Sequence, residues 1–364
     1  MKENHTKPHR KDEAKGTSNA FTRYTEIKTE RVKKWEDQKS AKYHEYRKKW
    51  VEYPKELKVP EFPFHIGVRS NSTCNLLCEM CPRTIGIKEE RWVDPEDIDF
   101  QTYKKIVDEA SEKGAYAVSL NGLGEIMMHK GLIEMVKYAK SKGIIDVFFH
   151  TNATMMTQNM IEALLDAGLD RVIISVDSPY KEKYEKIRVG ANYDKVIRNI
   201  RNLFETRERK GLSSPLIRIN MVKFPDVTIE ELESAKELFL SMADSLGFLE
   251  YIDYNSKTEP PVFPEGYKSK FICPELLNRL TIREDGSVVN CCVTLNTSQA
   301  LELGNVKEIS LEAMWNSDKE QELRQLHING EFYKIPDCRK CDFAVQEDKR
   351  LREEAEEKTK NCLA

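Results

Sequence analysis

At 364 residues, with a formal net charge of −3 and 40% hydrophobic residues, the chain has room for one large domain plus a smaller one and enough apolar content for a real core. That charge gives no global case for nucleic acid or a membrane surface. The longest apolar runs, such as residues 144–149, fall far short of a bilayer span. The charged N-terminus is not followed by an apolar signal segment, and nine cysteines, grouped rather than scattered, fit a reducing compartment and metal ligation. A cytoplasmic protein is expected.

In chain order, residues 1 to about 20 are polar and aperiodic and are expected to be disordered. From Phe21 to Val51 the pattern reads as helical, with Tyr24, Ile27, Val32, Trp35, Tyr43, Tyr46 and Trp50 among many charges. This basic, aromatic stretch reads as a solvated helix against the main domain or a dimer contact, in preference to a nucleic-acid surface. Pro54, Pro60 and Pro63 then suggest an extended linker.

From Phe64 short apolar runs alternate with helical periods. Strands are predicted at 64–69, 115–121, 144–150, 171–176, 216–222 and 248–254, and helices near 97–113, 130–142, 157–167, 192–210 and 228–246. Asp99 is the expected N-cap and Gly114 the C′ glycine of the first of these helices. Such alternation argues a parallel sheet with right-handed crossovers, whose site is built by the loops at the strand C-termini.

At the end of the first strand lies Ser72-Thr73-Cys74-Asn75-Leu76-Leu77-Cys78-Glu79-Met80-Cys81-Pro82, a C-x3-C-x2-C loop. Three thiolates on one tight loop can hold three irons of a 4Fe-4S cubane, and with no fourth soft ligand nearby one iron stays open. A closed zinc site needs four ligands, and three cysteines this close cannot pair off as disulfides in a reducing cell.

Further along, Pro260, Pro261 and Pro264 mark a boundary, and Phe271-Ile272-Cys273-Pro274 opens a second module. Residues 279–283 and 287–291 read as two strands joined at Asp285-Gly286. A helix capped by Ser310 precedes Cys338-Arg339-Lys340-Cys341. Four thiols from a hairpin and a late C-x2-C loop suit zinc or an iron–sulfur cluster, and spacing alone leaves both open. Residues 347–360 read as a charged, solvated helix, Cys362 as a bystander, and His65, His129 and His150 as isolated, internally satisfied histidines.

The C-x3-C-x2-C loop, with its Asn75-Leu76 and its Met80-Cys81-Pro82 ending, resembles that of the radical S-adenosylmethionine (radical SAM) superfamily. The resemblance implies an α/β fold, a partial (β/α)6 TIM-like barrel, with S-adenosylmethionine (SAM) chelating the open iron. It further implies a 5′-deoxyadenosyl radical that takes a hydrogen atom from the substrate, the cofactors carrying the hard chemistry. Asn121-Gly122-Leu123-Gly124-Glu125 resembles the family's G-G-E motif, with Leu123 intervening, and implies Gly122, Gly124 and Glu125 beside the SAM amino group. His150-Thr151-Asn152 resembles T-N-G, with Ala153 for glycine, and makes Asn152 a ribose neighbour. Ile174-Ser175-Val176-Asp177 matches I-S-x-D, so Ser175, with Asp177, is placed at the cofactor, and Arg188 is a candidate partner of its carboxylate.

The C-terminal module is similar to the SPASM/twitch extension, carried by Cys273, Gly286, Cys291, Gly304-Asn305-Val306, Met314-Trp315 and the late C-x2-C. A small α+β twitch-like domain follows, with a second, auxiliary 4Fe-4S cluster on Cys273, Cys291, Cys338 and Cys341. The implied division is an N-terminal extension (1–60), the barrel (61–258), the auxiliary domain (259–345) and a helical tail (346–364). The function expected is a radical SAM oxidoreductase acting on a small polar metabolite, a sugar, aminocyclitol or nucleotide sugar. It oxidises or epimerises a secondary alcohol carbon and draws electrons from a flavodoxin or ferredoxin. Cys292, pointing away from Cys291 on a strand, is either a small buried residue or the hydrogen donor of an epimerase. A peptide or protein maturase is the nearest rival, and a non-catalytic metal- and nucleic-acid-binding module is the rival from another class.

Overall fold

A computed structural model of the chain describes residues 24–90, 97–252, 260–291 and 301–363, with side chains as far as residue 357. The extreme N-terminus expected to be disordered, and Cys292, lie outside the described residues. The side chain of Cys362 lies outside the described side chains.

Six parallel strands form the barrel wall: β2 (His65–Arg69), β3 (Ala117–Asn121), β4 (Asp146–Thr151), β5 (Arg171–Ser175), β6 (Leu216–Lys223) and β7 (Ser245–Glu250). They are preceded by β1 (Tyr24–Lys28), α1 (Glu30–Asp37) and α2 (Ala41–Lys55). Between and around them run α3 (Pro82–Lys88), α4 (Phe100–Glu112), α5 (Leu132–Ser141), α6 (Gln158–Asp166), α7 (Lys181–Ile187), α8 (Tyr193–Arg209) and α9 (Ile229–Leu240). The C-terminal part adds α10 (Pro274–Asn278), β8 (Arg279–Ile282), β9 (Ser287–Val289), β10 (Glu302–Asn305), α11 (Leu311–Trp315), α12 (Asp318–Ile328), α13 (Pro336–Arg339) and α14 (Asp342–Leu363). The parallel sheet is the one expected from the β/α alternation, and the partial barrel with a C-terminal domain attached is the one the resemblance implied. Outward residues such as Ile66, Val68, Val118, Leu120, Ile217 and Ile219 pack under the helices in one core, so His65, Gly67, Ser119, His150, Arg218 and Asn220 face the lumen by the period-two rule.

Local signals hold where they were read. The Asp99 side chain accepts from Thr102 N at 2.8 Å, and Gly114 takes a left-handed φ of 81°. Ser310 caps α11 through Ala313 N at 3.2 Å.

Other expectations are corrected. Tyr24–Lys28 is strand, not helix: β1 adds antiparallel to β7, the open edge of the barrel, and that pairing overrides its helical pattern. The prolines do not all mark a linker, since Pro54 sits inside the last turn of α2. Lacking an N–H, it frees the Trp50 carbonyl, which accepts instead from Asn278 Nδ2 at 3.0 Å. The aromatic N-terminal helices lie against the main domain, as read, with much of their polar surface exposed and their aromatic face buried. Val32, Trp35, Tyr43, Tyr46 and Trp50 are buried with Phe64, Tyr116, Phe148 and Leu216 and close the N-terminal end of the barrel. The last barrel strand begins at Ser245, three residues earlier than read, because Asp244 is a buried anchor bonded by Arg31, Arg207 and the amide of Ile217.

The auxiliary hairpin is not a separate sheet. β8 pairs in parallel with β2, and one ten-stranded sheet runs through both parts of the chain. Nor is the C-terminal helix simply solvated. Asp348 is 1% exposed and accepts hydrogen bonds from Ser269 Oγ and Tyr267 Oη, each at 2.5 Å.

Candidate active site

β2 delivers the chain to the C-terminal end of the sheet, where the loop with Cys74, Cys78 and Cys81 begins. Backbone bonds fix that loop on two sides. Ser70 N donates to Asn121 O at 3.2 Å and Glu125 N to Thr73 O at 2.8 Å, while Leu77 N donates to Val189 O at 3.0 Å. Asn71 Nδ2 bridges Thr73 O (3.1 Å) and Glu125 O (2.9 Å), and Arg83 Nε holds Ser72 O at 2.9 Å. Burial pushes the Cys78 thiol up to about 11, against the opposing field of Arg188, and raises Cys74 despite the Leu76 amide 3.5 Å from its sulfur. Such thiols become thiolates only beside compensating positive charge, which a bound metal core provides.

The glycines of the G-L-G-E segment have a reason the sequence did not disclose. A Cβ on Gly122 would lie 2.1 Å from the Asn71 carbonyl oxygen, and one on Gly124 2.2 Å from that of Thr73. The close approach they permit is that of the cysteine loop's own backbone. Glu125 is 2% exposed, and its carboxylate accepts from Thr151 Oγ1 (2.5 Å), Asn152 N (2.7 Å) and Met127 N (3.2 Å). Burial raises its pKa while these donors oppose the shift. Glu125 therefore ties the end of β3 to the end of β4.

Asn152 joins this fabric, donating to Asn75 Oδ1 at 3.1 Å and accepting from Thr154 N at 2.9 Å. Ala153, at the position where the T-N-G motif has glycine, is held at a left-handed φ of 57°. Ser175 ends β5 opposite Asn220. Arg188 is engaged by the protein itself: its Nε lies 2.7 Å from Asp177 Oδ2, and Asp177 Oδ1 accepts from Val222 N at 3.1 Å. Burial alone would lower the Arg188 pKa, and the Asp177 carboxylate and Cys78 more than reverse that.

In the C-terminal part, Cys273, Cys291 and Cys338 pack beside Leu276, Leu301, Leu323 and Ile335, and Cys341 joins Cys273 and Cys338 against Phe271 and Phe332. Burial raises the Cys273, Cys338 and Cys341 thiols, the last to about 11, and the field of Cys291 adds to all three. The four sulfurs thus share one region. The donor sets therefore fit the groups the sequence implied: three thiols on one loop, and four around a second centre.

Of the isolated histidines, two are internally satisfied. His65 Nε2 lies 2.8 Å from Ser119 Oγ, and His129 Nδ1 accepts from Gly131 N at 3.0 Å. His150 differs. It lies deep in the molecule yet its side chain is accessible, so it faces internal space rather than packed side chains. Burial, reinforced by Arg218, Arg171 and Arg279, lowers its pKa to about 3. Arg218 and Asn220, also facing the lumen, were not singled out by the sequence, and Tyr24, which faces it too, was read only as part of a helical pattern. Only strand alternation on β1 and β6 marks them, and β1 had been read as helix. A recess of about 430 Å³ lined by Trp35, Tyr43, Arg47, Arg171 and Arg218 opens at the opposite, N-terminal end of the barrel, away from the thiols.

Residues 68–239 match the Radical SAM superfamily, and residues 273–342 match SPASM, an iron-sulfur cluster-binding domain. The chain is 26% identical over 324 residues to the tungsten-containing aldehyde ferredoxin oxidoreductase cofactor-modifying protein of Pyrococcus furiosus, covering 77% of this chain and 87% of that one. It is 34% identical over 168 residues to a probable GTP 3′,8-cyclase of Pyrococcus horikoshii, covering 46% of this chain and 49% of that one, and so spans about half of that relative's length. Among solved structures, BtrN in complex with AdoMet and 2-DOIA superposes with a TM-score of 0.51 at 17% identity, over 77% of this chain and 93% of that one. No described helix is long and apolar enough to cross a membrane.

Proposed function

From a chain that carries a radical SAM domain followed by a SPASM iron–sulfur domain, we infer an oxidoreductase that abstracts hydrogen from a secondary alcohol carbon of a small polar metabolite. A sugar, aminocyclitol or nucleotide sugar is the preferred class, oxidised to a ketone or epimerised. The domains imply two 4Fe-4S clusters and SAM, held by Cys74, Cys78 and Cys81 and by Cys273, Cys291, Cys338 and Cys341. Together the first cluster and SAM supply the hydrogen-atom abstraction, and the second cluster is an electron sink.

The chain's own residues do the rest. Gly122 and Gly124 let the cysteine loop lie against the end of β3, and Glu125 and Asn152 lock that end to β4. Arg188, paired with Asp177, keeps a cation beside Cys78. Ser175 stands at the same rim for the SAM carboxylate. The observation that supports the substrate class is the inward face of the sheet, where Ser119, His150, Arg218, Asn220 and Thr281 stand beside Phe148 and Ile173 and the His150 side chain is accessible, polar groups that suit an oxygen-rich molecule. Two relatives act on molecules of a similar kind by name, one modifying a cofactor and the other acting on GTP.

The test is anaerobic reconstitution of wild type and a Cys74/Cys78/Cys81→Ala variant, with iron, sulfide and 5′-deoxyadenosine measured. About eight irons falling to about four, with reductant-dependent deoxyadenosine from wild type alone, is the expected result. Only four irons in wild type would remove the electron sink and with it the dehydrogenase. Product analysis of Cys292→Ala separates the two outcomes, since an epimerase stalls without its hydrogen donor whereas a dehydrogenase survives.

A further inference from the structure

β4 turns Phe148 and His150 toward the lumen in successive layers, and the two meet opposite surroundings. In the lower layer the space is filled. Phe148 is buried, its ring 5.3 Å from that of His65 and 3.9 Å from the Arg171 guanidinium carbon. His65 Nε2 lies 2.8 Å from Ser119 Oγ, and the Trp50 ring stands 5.9 Å from the His65 ring. Gly67, opposite Ser119, leaves room for the Arg279 guanidinium, whose Nη2 lies 2.6 Å from the place a Cβ would take. The barrel is plugged at this level.

His150 stands one layer higher and is open. Its side chain is accessible although the residue lies deep in the molecule, and its ring makes no hydrogen bond among the described residues. Its amide donates to Asn121 Oδ1 at 2.8 Å, which sets it level with the last residue of β3, just before Gly122. The next residue, Thr151, donates to Glu125 at 2.5 Å. His150 therefore lies directly beneath the rim where Glu125 joins β3 to β4 and the cysteine loop rests on Gly122 and Gly124. That rim bounds the accessible space above, and the Phe148 layer closes it below.

The charges acting on the His150 ring, those of Arg218, Arg171 and Arg279, are all positive, and with burial they keep the ring neutral. Such a field disfavours an ammonium group here. Each guanidinium also holds a carboxylate already, Glu26 at 2.9 Å, Asp146 at 2.7 Å and Glu275 at 3.0 Å, so none stands as an open anion site. A neutral imidazole presents one donor and one acceptor, and a hydroxyl matches it in either tautomer.

We infer that His150 is the floor of the substrate cavity and that its imidazole hydrogen-bonds a hydroxyl of the substrate, setting how far the molecule enters beneath the rim. This specificity role rests on the reading of the enzyme as acting on a small polyhydroxy metabolite, and it names the residue that meets that metabolite at the closed end of the cavity.

The test uses cluster-loaded full-length protein with SAM. Calorimetric binding of myo-inositol, glucose, glucosamine and UDP-glucose is measured for wild type, His150→Leu and His150→Gln, and any binder is compared with its monodeoxy analogues. His150→Leu should bind about tenfold more weakly. His150→Gln, whose amide both donates and accepts, should recover most of that loss. One particular deoxy analogue should be penalised by wild type but not by His150→Leu, the signature of direct contact in a double-mutant cycle. Because the ring faces open space, melting temperature, iron content and SAM affinity should stay at wild-type values in both variants. A probe that binds His150→Leu as tightly as wild type overturns the contact, and so does weaker binding accompanied by a matching loss of SAM affinity or melting temperature. Failure of every probe to bind wild type overturns the polyhydroxy-metabolite reading, and the hydroxyl assigned to His150 falls with it.

Discussion

Arg188 Nε lies 2.7 Å from Asp177 Oδ2 inside the protein, and the same guanidinium is the main charge opposing the burial-driven rise of the Cys78 pKa. One cation thus serves both a buried carboxylate and a cluster thiol. Replacing it by Met leaves Asp177, 0% exposed, as a lone buried charge and should cost about 3–5 kcal/mol. Denaturant unfolding of Arg188→Met checks this. Iron content should fall in the same variant, whereas Asp177→Asn with Arg188 intact should retain its iron.

Gly124→Ala should damage the first cluster selectively. Its new methyl would meet the Thr73 backbone, at 2.2 Å from the carbonyl oxygen, so the cysteine loop must move. About four irons per chain, rather than about eight, should remain. Full iron content in this variant would show that the loop yields without losing its ligand geometry.

The N-terminal helices should matter for stability rather than for nucleic acid. Trp35 is 2% exposed and donates from Nε1 to Ser214 Oγ at 2.9 Å. Trp35→Ala should therefore cost about 3–5 kcal/mol in urea unfolding. Salt-sensitive RNA binding carried by this helix pair would contradict the burial of its aromatic face.

Near the second cluster, Glu320 is 0% exposed, bonded by Asn290 and paired with Arg324 at 2.8 Å, and burial raises its pKa to about 7. Unfolded, the carboxyl titrates near 4.5. Between these values the folded state binds more protons, so this group's contribution is fully present at or below about pH 4.5 and is lost as pH rises to about 7. Melting temperatures of wild type and Glu320→Gln across that window should show a fall with rising pH in wild type that the variant lacks.

The sequence by itself determined what contiguous residues carry. The C-x3-C-x2-C spacing, the late C-x2-C, the β/α alternation and the caps at Asp99 and Ser310 are written within a few residues of one another, where spacing and periodicity act directly. Tertiary structure decided the rest. Tyr24–Lys28 became a strand because an unpaired edge at β7 was available, and β8 joined β2 because the barrel's other edge was. Gly122 and Gly124 turned out to face the cysteine loop because that partner comes from another part of the chain, and Arg188 to face Asp177 because α7 folds between them. Pairing between distant segments is set by which edges, charges and carbonyls folding leaves unsatisfied, and no local pattern records that.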